Sequence, residues 1–138
     1  MMLSKYSGSI NALLLLDSDK RRKNDLINTT KQRLITEVEA FCGTVWLTAG
    51  REIENYIATE ALSSLYSDRN LTPLKPYQDF AAYLNNIKAD EGKRFRRRKV
   101  FFAEQVCPYL EKDSLMRILD LNDRLDAACK LIRVWNRL

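Results

Sequence analysis

Residues 10–17, Ile-Asn-Ala-Leu-Leu-Leu-Leu-Asp, form a short apolar run that ends on a carboxylate. A run of this length predicts a strand buried on both faces, the pattern of a parallel sheet. A polar stretch, 18–24, separates it from a segment of different rhythm. Over 25–41, apolar or small side chains recur at helical spacing at Leu26, Thr30, Leu34, Val38 and Phe41, and Gly43 stands where a helix C-terminal cap belongs. Residues 44–48, Thr-Val-Trp-Leu-Thr, are β-branched and aromatic and predict a second strand. The order strand, helix, strand is a βαβ unit with parallel strands and a right-handed crossover.

Beyond Arg51 the pattern is helical throughout. One or two short helices are expected over 51–67, and a loop with two prolines over 68–76. Tyr77, Phe80, Ala81, Leu84 and Ile87 form one stripe. Phe101, Phe102, Val106, Tyr109 and Leu110 form another, stopped or kinked near Pro108. Asp113 is expected to cap a last helix that lines up Leu115, Ile118, Leu119, Leu125, Cys129, Ile132 and Trp135. Trp46 and Trp135 read as core anchors. The fold class is therefore α/β, with an α/β segment over 1–60 and a helical segment over 61–138 packed on it. Two strands do not make a stable open sheet. Residues 1–9, a partner chain or sequence beyond this chain are expected to supply the rest.

Composition narrows the chemistry. The chain of 138 residues has no His, which excludes Ser-His and Cys-His nucleophiles and His-ligated zinc within it. Three scattered cysteines, Cys42, Cys107 and Cys129, have neither metal nor disulfide spacing. With no signal peptide and no apolar run approaching the ~18 residues of a membrane span, a cytoplasmic protein without a membrane partner is expected. The net charge of +5 lies wholly in 71–138, where fourteen Lys and Arg face nine acids. A phosphate-bearing partner is one reading of that excess, and simple solubility is the other.

Four constellations stand out. The strand ends in Asp17-Ser18-Asp19, and if the strand runs through Asp19 both carboxylates point the same way. Like charges held close call for a cation, and Mg²⁺ takes one or two carboxylates while keeping several waters. An Asp after a strand also serves as a turn former or helix cap. The second strand runs into Gly50-Arg51-Glu52-Ile53-Glu54-Asn55-Tyr56. Both strands of a βαβ unit end on one sheet edge, so Glu52 or Glu54, at most one of them, is delivered to the edge that carries Asp17 and Asp19. Lys93, Arg94, Arg96, Arg97, Arg98 and Lys99 form a basic run that either tracks a phosphate backbone or is a solvated face. Lys20, Arg21, Arg22 and Lys23 follow the acidic pair directly, and either guide a phosphodiester or balance the two acids.

Taken in order, LLLLDSDK, TVWLTAGREIENYI, KVFFAEQV and IRVWN resemble the C-terminal part of the OLD (overcoming lysogenization defect) nucleases. These proteins join an ABC-like ATPase to a Toprim nuclease domain and include phage-defence systems. The resemblance covers about residues 10–138. It implies a partial Toprim sheet and a divalent-metal-dependent DNA endonuclease. Asp17, Asp19 and Glu54 would be ligands for Mg²⁺ or Mn²⁺, and Lys99 the catalytic lysine that stabilises charge on the phosphate. A Toprim domain opens with a strand and a glutamate ahead of its D-x-D strand. Here no acid precedes Asp17 and no G-x-x-x-x-G-K-[ST] occurs. An ATPase and an upstream Toprim segment are therefore expected partners, alongside DNA and a possible homo-oligomer. The competing function is a non-catalytic nucleic-acid- or protein-binding module that uses the basic half. A haloacid-dehalogenase-type phosphatase also begins with a strand and D-x-D. Against it, Asp120, Asp123 and Asp126 fall in a helical pattern and Lys20-Arg21 follows the motif.

Overall fold

A computed structural model describes residues 10–137. Strands β1 (Leu13–Leu16) and β2 (Thr44–Leu47) pair in parallel, in register from Leu13↔Thr44 to Leu16↔Leu47. Helix α1 (Thr29–Ala40) joins them. The βαβ unit is present, with a shorter first strand and a later helix start than the periodicity suggests. The helix starts where Asn28 can cap it, its Oδ1 accepting from Lys31 N at 2.9 Å. The end also differs from expectation. Cys42, not Gly43, takes the left-handed conformation (φ 59°), and Gly43 N donates to Val38 O at 3.0 Å. This is a Schellman ending in which the glycine lies one position beyond the left-handed residue. The expectation that 1–9 add to the sheet lies outside the described residues.

The rest is helical: a 3-10 turn (Ile53–Tyr56), α2 (Thr59–Tyr66), α3 (Phe80–Ile87), α4 (Glu91–Arg97), α5 (Lys99–Val106), a 3-10 turn (Cys107–Tyr109), α6 (Lys112–Leu115) and α7 (Leu121–Trp135). The chain is thus mixed α/β, with seven α-helices and a two-stranded parallel sheet among the described residues. Pro108 falls in the turn that follows α5.

The main core gathers α2 to α5. Leu62, Phe80 and Leu84 are fully buried, and the Phe80 ring meets Phe95 edge-on at 5.1 Å and Phe102 at 5.5 Å. Helices α3 and α4 approach so closely that a Cβ at Gly92 would lie 2.1 Å from Ala81 O. A second cluster joins Trp46, Tyr56 and Leu121, with Leu115 and Ile118 against it.

Two expectations for the C-terminal part are corrected. Asp113 lies inside α6, and the last helix starts only after Asp120, because Leu119 turns left-handed (φ 47°) and breaks a stripe that the spacing had made continuous. Trp135 is only half-buried, and Leu125, Cys129 and Ile132 are exposed, so α7 anchors through its first turn rather than along its length. No helix of the described residues is long and apolar enough to cross a membrane.

Candidate functional site

The sheet edge is knitted by small polar residues. Buried Ser18 donates its N–H to Thr48 Oγ1 (2.9 Å) and its hydroxyl to Gly50 O (2.6 Å), while Thr48 Oγ1 donates to the same carbonyl at 3.0 Å. Asp19 N donates to Arg51 O at 2.8 Å. The chain passes Gly50 because a side chain there would meet Pro76 O at 2.5 Å. These bonds lock the segment after β1 to the segment after β2.

The lock sets where the acids go. Asp17 Oδ1 accepts from Ile53 N at 2.8 Å, so its carboxylate holds the turn that carries Glu54. Asp19 goes elsewhere. The strand stops at Leu16 and Asp19 is left-handed (φ 56°), so the alternation that would aim both carboxylates together does not reach it. Its Oδ2 instead pairs with Lys31 Nζ from α1, and the same ammonium donates to Asp17 O. Glu54 Oε1 accepts from Lys99 Nζ at 3.2 Å, and Lys99, the first residue of α5, also sits over the Phe95 ring at 5.2 Å. Glu54 Oε2 is buried and has no hydrogen-bond partner. Among the described residues, no three His, Cys, Asp or Glu side chains gather into a group that could hold a metal.

Glu52 and Glu54 face different ways, because Glu52 lies in extended backbone just ahead of the 3-10 turn that carries Glu54. Glu52 Oε2 accepts from Phe80 N at 3.3 Å, at the start of α3. Burial pushes its carboxyl above the ordinary range, with the Glu54 and Asp79 carboxylates adding to the rise and the Phe80 N–H and Arg51 opposing it.

Asn55 and Tyr56, to which the sequence pattern assigns no role of their own, directly follow Glu54 and are buried. Asn55 Oδ1 accepts from Glu52 N (2.8 Å), and its Nδ2 donates to Lys75 O (3.1 Å) and Gln78 O (3.0 Å). Tyr56 Oη accepts from Trp46 Nε1 (3.2 Å) and Ala49 N (3.1 Å) and donates to Asp120 Oδ1 (2.6 Å). Asp120 in turn holds Arg124 Nε at 2.9 Å, which ties α7 to the end of β2. Burial foremost, then the bond to Asp120, raises the Tyr56 phenol.

The basic run does not form one face. It is divided by the break between α4 and α5 at Arg98. Arg94 and Arg98 lie over the Phe101 ring at 5.9 and 4.3 Å. Arg96 reaches Asp79 at 3.3 Å, which also takes Arg51 at 3.2 Å. Lys93, Arg96 and Arg97 line a cleft against α3, whereas Lys99 turns to Glu54. In the other cluster, Arg22 Nε pairs with Asp25 Oδ1 at 3.0 Å. The N–H of Arg21 foremost holds Asp25 below the usual carboxylate range, with Arg22 helping and desolvation opposing. Lys20 N donates to Ser18 Oγ at 3.2 Å, while Arg21, Arg22 and Lys23 face Lys75 and Tyr77 across a groove.

No family model, curated protein or solved structure matches this chain.

Proposed function

We propose that the chain is the C-terminal Toprim segment of an OLD-type DNA endonuclease dependent on Mg²⁺ or Mn²⁺, part of a phage-defence system, completed by an ATPase and an upstream Toprim glutamate. The observation that carries this reading is Glu54 Oε2, a buried carboxylate oxygen with no donor on it, on the turn held by Asp17. Leaving such an atom unpaired costs about 1–3 kcal/mol. A hard cation is a partner that such oxygens take, and it tolerates a site of only two carboxylates with waters. Asp17 and Glu54 are the residues to hold it. Asp19 joins them only by giving up Lys31. A divalent ion bound there would polarise an attacking water and neutralise charge on the phosphate. Lys99, already beside Glu54, presents an ammonium to a phosphate oxygen and is the catalytic residue of this reading. Lys20, Arg21, Arg22, Lys23, Lys93, Arg94, Arg96, Arg97 and Arg98 would contact DNA phosphates.

Calorimetric Mn²⁺ titration of wild type against an Asp17→Asn/Glu54→Gln double variant tests this. Wild type should bind weakly, in the millimolar range, and the variant not at all. Identical titrations would remove the metal site. A specific observation favours the second reading, a non-catalytic binding module. Glu54 and Asp19 already have lysine partners within the chain, as a site that needs no cation would.

A further inference from the structure

Arg21, Arg22 and Lys23 form one wall of a groove of about 620 Å³, and Lys75, Pro76 and Tyr77 form the other. Among the described residues, Arg22 is the wall residue with an acidic partner, Asp25; Arg21, Lys23 and Lys75 have none within ion-pair distance. The groove is therefore cationic on both sides. The second wall carries an aromatic ring, Tyr77, half-buried and stacked on no other ring of the described residues. Both walls are fixed to the acidic edge. The first is anchored by Lys20 N on Ser18 Oγ, between Asp17 and Asp19. The second is anchored by Asn55 Nδ2 on Lys75 O and by Arg51 N on Pro76 O (2.8 Å), beside Glu54.

We infer that this groove binds a single-stranded segment of nucleic acid, with phosphates on Arg21, Lys23 and Lys75 and a base against Tyr77. A cationic groove that follows a backbone, with a ring on which a base can stack, is the chemistry of single-strand binding. In a duplex the base faces are covered by their neighbours, so Tyr77 has nothing to stack on. Placed beside the acids, the groove makes the substrate class of the proposed nuclease DNA with an unpaired stretch flanking the cut. That assignment of substrate rests on the nuclease reading, whereas the groove's own preference does not.

The test is fluorescence anisotropy of an oligothymidylate of about twelve nucleotides with the full chain in EDTA, against a duplex of equal length. The single strand should bind at least about tenfold more tightly. Tyr77→Ala should weaken it by about 5- to 100-fold and Tyr77→Phe should restore it. Lys75→Ala should lower the salt slope by about 0.7. Circular dichroism checks that each variant is folded. Equal affinity for duplex, an unchanged Tyr77→Ala, or no binding by wild type overturns the inference. So does competition by polyglutamate as strong as by oligonucleotide, which assigns the groove to an acidic protein. Because no metal is present, these outcomes do not depend on the Mn²⁺ titration. A silent titration with a Tyr77-dependent single-strand preference ends the nuclease reading and leaves the groove standing.

Discussion

Tyr56→Phe isolates one oxygen. The phenylalanine keeps the ring, its edge-on contact with Trp46 at 5.9 Å and its burial at 4% exposure. It removes the hydroxyl that joins Trp46 Nε1, Ala49 N and Asp120 Oδ1. Asp120 retains Arg124 and is only partly buried, so it loses little. Trp46 is 8% exposed, and its indole N–H is left without an acceptor in a nearly dry site. A stranded buried donor costs about 1–3 kcal/mol, and the half-buried Ala49 N–H adds a smaller amount. The sum is about 2–4 kcal/mol, which for a chain of this size lowers the melting temperature by roughly 8–16 °C. Urea unfolding followed by far-ultraviolet circular dichroism measures it. A loss below about 0.5 kcal/mol would mean that the hydroxyl does not bridge β2 and α7 in solution, and the account of Tyr56 as a structural joint would fall.

Two further predictions follow from packing and titration. Gly92→Ala places a methyl group where Ala81 O now sits, 2.1 Å from the new carbon, so α3 and α4 must part; a loss of about 1–3 kcal/mol is expected in the same urea assay, and an unchanged midpoint would refute the close approach. Tyr56, Tyr66 and Tyr83 all have phenols raised by burial, Tyr66 to about 12, so the folded chain keeps protons that the unfolded chain releases near pH 10. Their contribution is full below pH 10 and is lost as pH rises toward 12, and an unfolding midpoint flat from pH 9 to 12 would contradict this.

The βαβ unit was legible because each piece had a strong local signal: four leucines, an amphipathic stretch, a β-branched and aromatic strand. The helices around Phe80 and Phe102 were legible for the same reason. The breaks were not. Arg98 and Leu119 interrupt helical segments without glycine or proline, and at Leu119 an apolar side chain accepts a left-handed backbone that nothing local recommends. The stripe of apolar positions continued across that break and so concealed it. At the site, the topology argument brings the segments that follow both strands to one edge, where Ile53 N donates to Asp17 Oδ1. It could not anticipate Lys31, whose pairing with Asp19 depends on how α1 lies across the sheet edge. Nor could it anticipate that a cationic run in sequence would be dispersed in space by two aromatic rings, Phe95 and Phe101, and one aspartate.

The parallel pairing of β1 with β2 has a consequence for the order of assembly. Leu13 meets Thr44 across thirty-one steps of chain, whereas α3, α4 and α5 pack on their neighbours in sequence. Closing a long loop must be completed before its contacts contribute, so the helical cluster is expected to form early and the strands late. Ser18, Gly50 and Asp17 make their bonds only once the strands are side by side. The acidic edge therefore comes into being in the final stage of folding, and a chain stalled before that stage would carry its full helical signal while lacking any ordered chemistry at the sheet edge.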